Sequence, residues 1–95
     1  MPKPIDYYQN VIIKSVEKIS DMDYEEWKWR DEYINFQGIL SIWESTEKFK
    51  GQHYISFNNL MGDWMHTGYG TYTISDNIIT MTTRNTIYKF KIIHK

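Results

Sequence analysis

Three histidines, His53, His66 and His94, are the residues best suited to metal or proton chemistry, and no cysteine accompanies them. None stands four residues from another, and none has the x-x-Cys spacing by which metal sites are built, so the sequence predicts no metal centre. Asp63 and His66 are three apart, which on a strand points them to opposite faces; a catalytic pair there would need a bend between them. A Ser-His-Asp set can be drawn from Ser56, His66 and Asp63, but almost any chain of this length permits such a drawing. No nucleophile, base and orienting group fall together in the sequence. The expectation is a protein that binds rather than reacts: no enzyme, no catalytic residues and no cofactor.

The densest acidic run is Asp21-Met22-Asp23-Tyr24-Glu25-Glu26, followed by Asp31 and Glu32. It lacks the glycine and the distal bidentate glutamate of a calcium loop. The plain reading is a solvated turn leading into a strand. The functional alternative is a partner-binding surface formed by Asp21, Asp23, Glu25, Glu26, Asp31 and Glu32. Carboxylates spaced along a strand imitate phosphates and occupy a basic groove, the device of small phage-encoded inhibitors of host defence enzymes.

Aromatic residues are the larger clue. Trp27, Trp29, Trp43, Trp64, Tyr54, Tyr69, Tyr72, Tyr88 and Phe90 exceed what a minimal core needs. Most must pack inside, because a small β core is built from large side chains. The surplus could line a pocket for a planar ligand, with Trp27, Trp29, Trp43, Trp64, Tyr72 and Tyr88 as candidate contacts. Arg84, Lys89 or Lys91 would stand near its mouth to meet a phosphate or carboxylate. The same rings could instead stack single-stranded nucleic acid, with Lys48, Lys50, Arg84, Lys89, Lys91 and Lys95 supplying the charge. Six cations diluted by neighbouring acids make nucleic acid the weaker case.

The elements that must position these residues read mainly as strands. Gly70 to Ser75, Ile78 to Thr83 and Thr86 to Ile93 alternate β-branched and aromatic residues, and are joined by Asp76-Asn77 and Arg84-Asn85, residues that tolerate tight turns. This is an antiparallel meander. Trp64 to Ser75 reads as one long strand bent at Gly68 and Gly70, and His53 to Phe57 as a short strand. Ile39 to Glu44 reads as a strand buried on both faces, and Ser45 to Gln52 as a polar connection. Tyr24 to Tyr33 alternates with Trp27, Trp29 and Tyr33 on one side and Glu26, Lys28 and Arg30 on the other, predicting a strand with a bulge near Asp31-Glu32. Residues 6–20 fit two patterns. Tyr8, Ile12, Val16 and Ile19 have helical spacing, whereas Val11-Ile12-Ile13 favours a strand. Met1 to Asp6, with Pro2 and Pro4, reads as a loose arm.

Composition agrees with this reading. Ile is abundant, eight Tyr, four Trp and four Phe are present, Ala is absent, and Leu and Val are scarce. Ninety-five residues make a single domain, 1–95, whose stability depends on large side chains. The net charge of −1 hides an asymmetry: residues 21–47 hold eight acids against Lys28 and Arg30, and residues 48–95 hold six cations against Asp63 and Asp76. The absence of cysteine, of an apolar leader and of any membrane-length apolar run predicts a cytoplasmic protein without a membrane partner.

The expected class is therefore all-β, with room for one short N-terminal helix. It is an up-and-down antiparallel meander closed into a small barrel or strongly curved sheet. Residues His53 to Ile93 resemble the second half of the small lipocalin-like β-barrels found in many bacterial proteins. The likeness runs through Tyr54-Ile55-Ser56-Phe57, Gly70-Thr71-Tyr72-Thr73-Ile74, Ile78 to Thr82 and Tyr88-Lys89-Phe90-Lys91-Ile92. The opening Gly-x-Trp strand of those barrels is missing, although Trp27 or Trp43 could take its place. The resemblance implies a barrel that holds a small ligand, and it carries no catalytic residues across. An edge left open by so few strands would serve homodimerisation.

Overall fold

Residues 6–20, whose sequence fits helix or strand, form the long strand β1 (Asp6–Lys18). Its inward side chains are Tyr8, Val11, Ile13 and Val16, spaced by three, two and three residues. The intervals of three mark irregularities in the ladder, between Tyr8 and Val11 and between Ile13 and Ser15. A bulge adds a residue and sharpens the local bend, so the apolar spacing falls between that of a strand and that of a helix. The same irregularities let one strand serve two neighbours, with Asp6–Ile12 pairing on one side and Asn10–Lys18 on the other. The computed structural model describes residues 4–44, 51–59 and 61–94. Within them the expected loose arm is tied down at its end, because the Ile5 N–H donates to the Ile42 carbonyl at 2.8 Å.

The segment expected as a strand at Tyr24 to Tyr33 is helical. Helix α1 (Tyr24–Trp27) is followed directly by a 3₁₀ helix (Lys28–Tyr33). The Asp23 side chain caps α1 by accepting from the Glu25 N–H at 3.2 Å, and Glu25 and Glu26 place negative charge in the first turn, where the helix dipole favours it. A 3₁₀ helix has three residues per turn, so Trp27, Arg30 and Tyr33 fall on one side. That side meets the barrel. The Trp27 indole N–H donates to the Thr86 hydroxyl at 2.8 Å, the Arg30 Nε to the Tyr88 hydroxyl at 3.2 Å, and the Tyr33 hydroxyl to the Trp64 carbonyl at 3.2 Å.

Among the described residues six more strands follow: β2 (Gln37–Glu44), β3 (His53–Asn59), β4 (Trp64–His66), β5 (Gly70–Ser75), β6 (Ile78–Thr83) and β7 (Thr86–His94). All pairings are antiparallel. β1, β2, β3, β5, β6 and β7 close a six-stranded ring, and β4 is an extra strand on β3. β3 and β5 meet at a single pair, His53 and Gly70. The long bent strand expected from Trp64 to Ser75 is thus β4 and β5 with a break at 67–69. Thr67 fills the break: its N–H donates to the Ile55 carbonyl at 2.8 Å and its hydroxyl accepts from the Ile55 N–H at 3.0 Å.

Two glycines mark close approaches. A Cβ on Gly38 would lie 2.1 Å from the Asn58 carbonyl oxygen, and one on Gly70 would lie 1.9 Å from that of Thr82. The β5–β6 turn is the expected two-residue hairpin. Asp76 and Asn77 take φ values of 52° and 65°, the left-handed backbone of a type I′ turn. At the Arg84-Asn85 turn neither residue has positive φ; instead the Thr83 hydroxyl accepts from the Thr86 N–H and donates to the Thr86 carbonyl, both at 3.2 Å.

Inside the ring, Leu40, Ile42, Ile55, Phe57, Ile79, Met81, Tyr88 and Phe90 pack with the β1 residues as one core. Each such side chain contributes roughly 1.5–3 kcal/mol when removed from water. No helix among the described residues is long and apolar enough to cross a membrane.

Candidate ligand-binding site

Trp27 and Tyr88 belong to the packed end of the barrel under the helical cap. Trp27 is 3% exposed and Tyr88 1%, and the Tyr88 ring stacks on Phe90 with centroids 6.1 Å apart. Arg30 joins them to Trp29: its guanidinium carbon lies 4.5 Å from the Trp29 ring centroid and 5.9 Å from that of Trp27. Trp29 is partly exposed on the cap and meets Tyr33 edge-on at 5.9 Å. Trp27 and Arg30, bonded to Thr86 and Tyr88, hold the cap to the barrel, and Trp29 packs on the cap's own Arg30 and Tyr33.

Tyr72 lies elsewhere, half-buried against His53, with their rings edge-on at 5.1 Å. Nearby, Tyr8 donates to Asp6 Oδ2 at 2.8 Å. Burial, then this hydrogen bond and the charge of Asp6, push the Tyr8 hydroxyl up to about 12.

The acidic candidates sit on the helical cap and its approach, not along a strand. Asp23 serves as the cap of α1, Glu25 pairs with Lys28 at 2.6 Å, and Asp31 accepts from the Tyr24 hydroxyl at 3.3 Å. Asp21, Glu26 and Glu32 are exposed. The regular strand spacing expected of these carboxylates is absent, because residues 24–33 are helical.

Strand alternation gathers the remaining aromatics on the outside of the barrel. Outward positions are Ile39, Ser41 and Trp43 on β2, Tyr54, Ser56 and Asn58 on β3, and Trp64 and His66 on β4. Register aligns Trp43 with Tyr54, Ser41 with Ser56 and His66, and Asn58 with Trp64. The Trp43 and Tyr54 rings are near parallel, with centroids 6.2 Å apart, and Tyr69 meets Tyr54 edge-on at 5.5 Å. Trp64 stacks on His66 at 5.2 Å. The Trp43 indole N–H donates to the Ser56 hydroxyl at 2.9 Å. Ser56 and His66 are cross-strand partners, yet neither hydrogen-bonds the other among the described residues, and Asp63 lies outside β4. No group of His, Asp and Glu suited to a metal ion occurs among the described residues.

Two surface depressions meet at Tyr69. One, of about 370 Å³, is lined by Tyr54, His66, Thr67, Gly68 and Tyr69. The other, of about 490 Å³, is lined by Gln52, Tyr69, Gly70, Thr71, Thr82, Thr83 and Arg84. Arg84 lines this depression together with Tyr69, a ring that is not among the expected ligand contacts. Lys89 and Lys91 are exposed on β7, which β6 and β5 separate from β3 on one side and β1 and β2 on the other. Lys48, Lys50 and Lys95 lie outside the described residues. The chain matches no family model, no curated protein and no solved structure.

Proposed function

We propose that this is a non-enzymatic binding protein that holds a small planar molecule carrying an anionic group at the rim of its barrel. The observation that carries this reading is the depression of about 490 Å³ that Tyr69, Gly70 and Arg84 line together. Its volume is that of a small-ligand pocket. Tyr69 offers a ring face, Thr71, Thr82 and Gln52 offer hydrogen-bonding groups, and the guanidinium suits a phosphate or carboxylate. Placing the ligand at the rim refines the lipocalin-like reading, since Trp27 and Tyr88 are committed to the core.

Native mass spectrometry of protein isolated without denaturation, followed by NMR titration with adenosine monophosphate and indole-3-acetate, tests the proposal. Support would be a co-purified small anion, or probe-induced shifts at Tyr69, Thr71 and Thr82 that Arg84→Gln weakens about tenfold. A clean apo mass with no shifts from either probe would sink it.

A second reading, supported by the exposure of Asp21, Asp23, Glu25, Glu26 and Glu32, is that a basic protein partner docks on the helical cap. It predicts that Glu25→Lys with Glu26→Lys abolishes capture of that partner while leaving the fold intact. Capture that survives both reversals would refute it.

A further inference from the structure

We infer that the outer face of β2, β3 and β4 is a binding strip for a short neutral oligosaccharide. The face carries two ring stations. Trp43 and Tyr54 form one, with Tyr69 edge-on beside them, and Trp64 and His66 form the other. Trp64 remains 58% exposed, large for a tryptophan on a folded sheet. Between the stations lie Ser56 and the depression of about 370 Å³ bounded by Tyr54, His66 and Tyr69, with Ser41 beside Ser56 on β2 and Asn58 beyond it on β3. Outward neighbours along a strand are spaced by roughly 7 Å, so the two ring stations and the hydroxyl and amide groups of Ser41, Ser56 and Asn58 extend over the length of a few sugar units.

Charge decides the class of occupant. The outward positions of these three strands hold no Asp, Glu, Lys or Arg, and one exposed carboxylate, Glu44, ends β2 beside Trp43. A nucleic-acid strand needs cations to replace those condensed on its phosphates; Lys89 and Lys91 stand on β7, away from this face, and Arg84 lines the neighbouring depression rather than the strip. A neutral sugar makes no such demand. One face of its ring presents C–H groups that pack on the electron-rich face of Trp or Tyr, while its hydroxyls pair with Ser, Asn and His. This strip does not depend on Arg84, although it meets the planar-ligand depression at Tyr69.

The test is a tryptophan-fluorescence and NMR titration of the full chain with cellohexaose, maltohexaose, xylohexaose, chitohexaose and mannohexaose, alongside a thymidine hexanucleotide. The expected result is saturable binding of at least one saccharide, weakened about tenfold or more by Trp64→Ala and by Tyr54→Ala and unchanged by Arg84→Gln. Circular dichroism confirms that each variant keeps its fold. The proposal is overturned if no saccharide binds at about 1 mM, or if the hexanucleotide binds more tightly than every saccharide. It is also overturned if sedimentation shows a dimer that Trp64→Ala dissolves, because a second copy would then cover the face.

Discussion

The Trp27 indole N–H donates to the Thr86 hydroxyl across 2.8 Å, joining the helical cap to the first residue of β7 through groups 59 residues apart in sequence. Both residues are buried, so neither group has water to fall back on. Trp27→Phe should cost about 1–3 kcal/mol in urea unfolding, because it leaves the Thr86 hydroxyl without its donor. Trp27→Ala should cost roughly 3–5 kcal/mol by adding a cavity. Pairing Trp27→Phe with Thr86→Val should cost less than the sum of the two single changes. Strict additivity would show that the bond contributes nothing.

The two glycines at close approaches differ from Gly68, where a Cβ would meet nothing within 4 Å. Gly70→Ala and Gly38→Ala should each destabilise by about 3 kcal/mol or more, since the obstacle is a neighbouring backbone carbonyl. Gly68→Ala should be within about 0.5 kcal/mol of the parent. Thermal melts of the three variants measure the contrast. Equal melting temperatures would contradict the tight β5–β6 contact.

Arg30 bonds both the Tyr88 hydroxyl and the Trp27 carbonyl. Arg30→Met keeps an apolar stem but removes these donors, and should cost about 1–2 kcal/mol. Amide exchange should accelerate in residues 23–36 while the β2–β3 ladder stays protected. Uniform acceleration would mean that the cap does not open independently.

The Tyr8 hydroxyl, pushed up to about 12, keeps its proton in the folded chain while an unfolded tyrosine loses it near 10. Above pH 10 the unfolded state therefore binds fewer protons, and stability falls as pH rises from about 10 to about 12. Its contribution is fully present below about pH 10, and at most about 3 kcal/mol is lost across that window. Tyr8→Phe should flatten the loss. Urea titrations of both proteins at about pH 9 and about pH 12 measure the difference, and parallel losses would refute the assignment.

The meander from Gly70 onward was legible because its turn residues and its period of two agree. Asp76-Asn77 accepts positive φ, and Ile79, Met81, Tyr88 and Phe90 alternate inward without interruption. β1 was ambiguous for a physical reason: two ladder irregularities shift its inward residues off a strict period of two. The segment Tyr24 to Tyr33, expected as a strand from the alternation of Trp27 and Trp29, also carries a helix-start signal in Asp23-x-x-Glu26 that this alternation masks. The planar-ligand depression and the aromatic strip were less legible. Whether Tyr69 and Arg84 line one depression, and whether Tyr54 lies beside Trp43, depends on cross-strand register and on the break at Thr67, which neither composition nor spacing encodes.

β1 finds one of its two partners in β7, where Asn10 pairs with His94 and Lys18 with Thr86. During synthesis the residues of β1 leave the ribosome long before those of β7 exist. Until then one edge of the first strand has no mate, and Val11 and Ile13 have no complete interior to enter. Closing such a distant contact carries a large loop entropy and slows folding. The ring must therefore close after nearly all of it has been translated, and the nascent chain carries an open, apolar strand edge that the cell has to shield meanwhile.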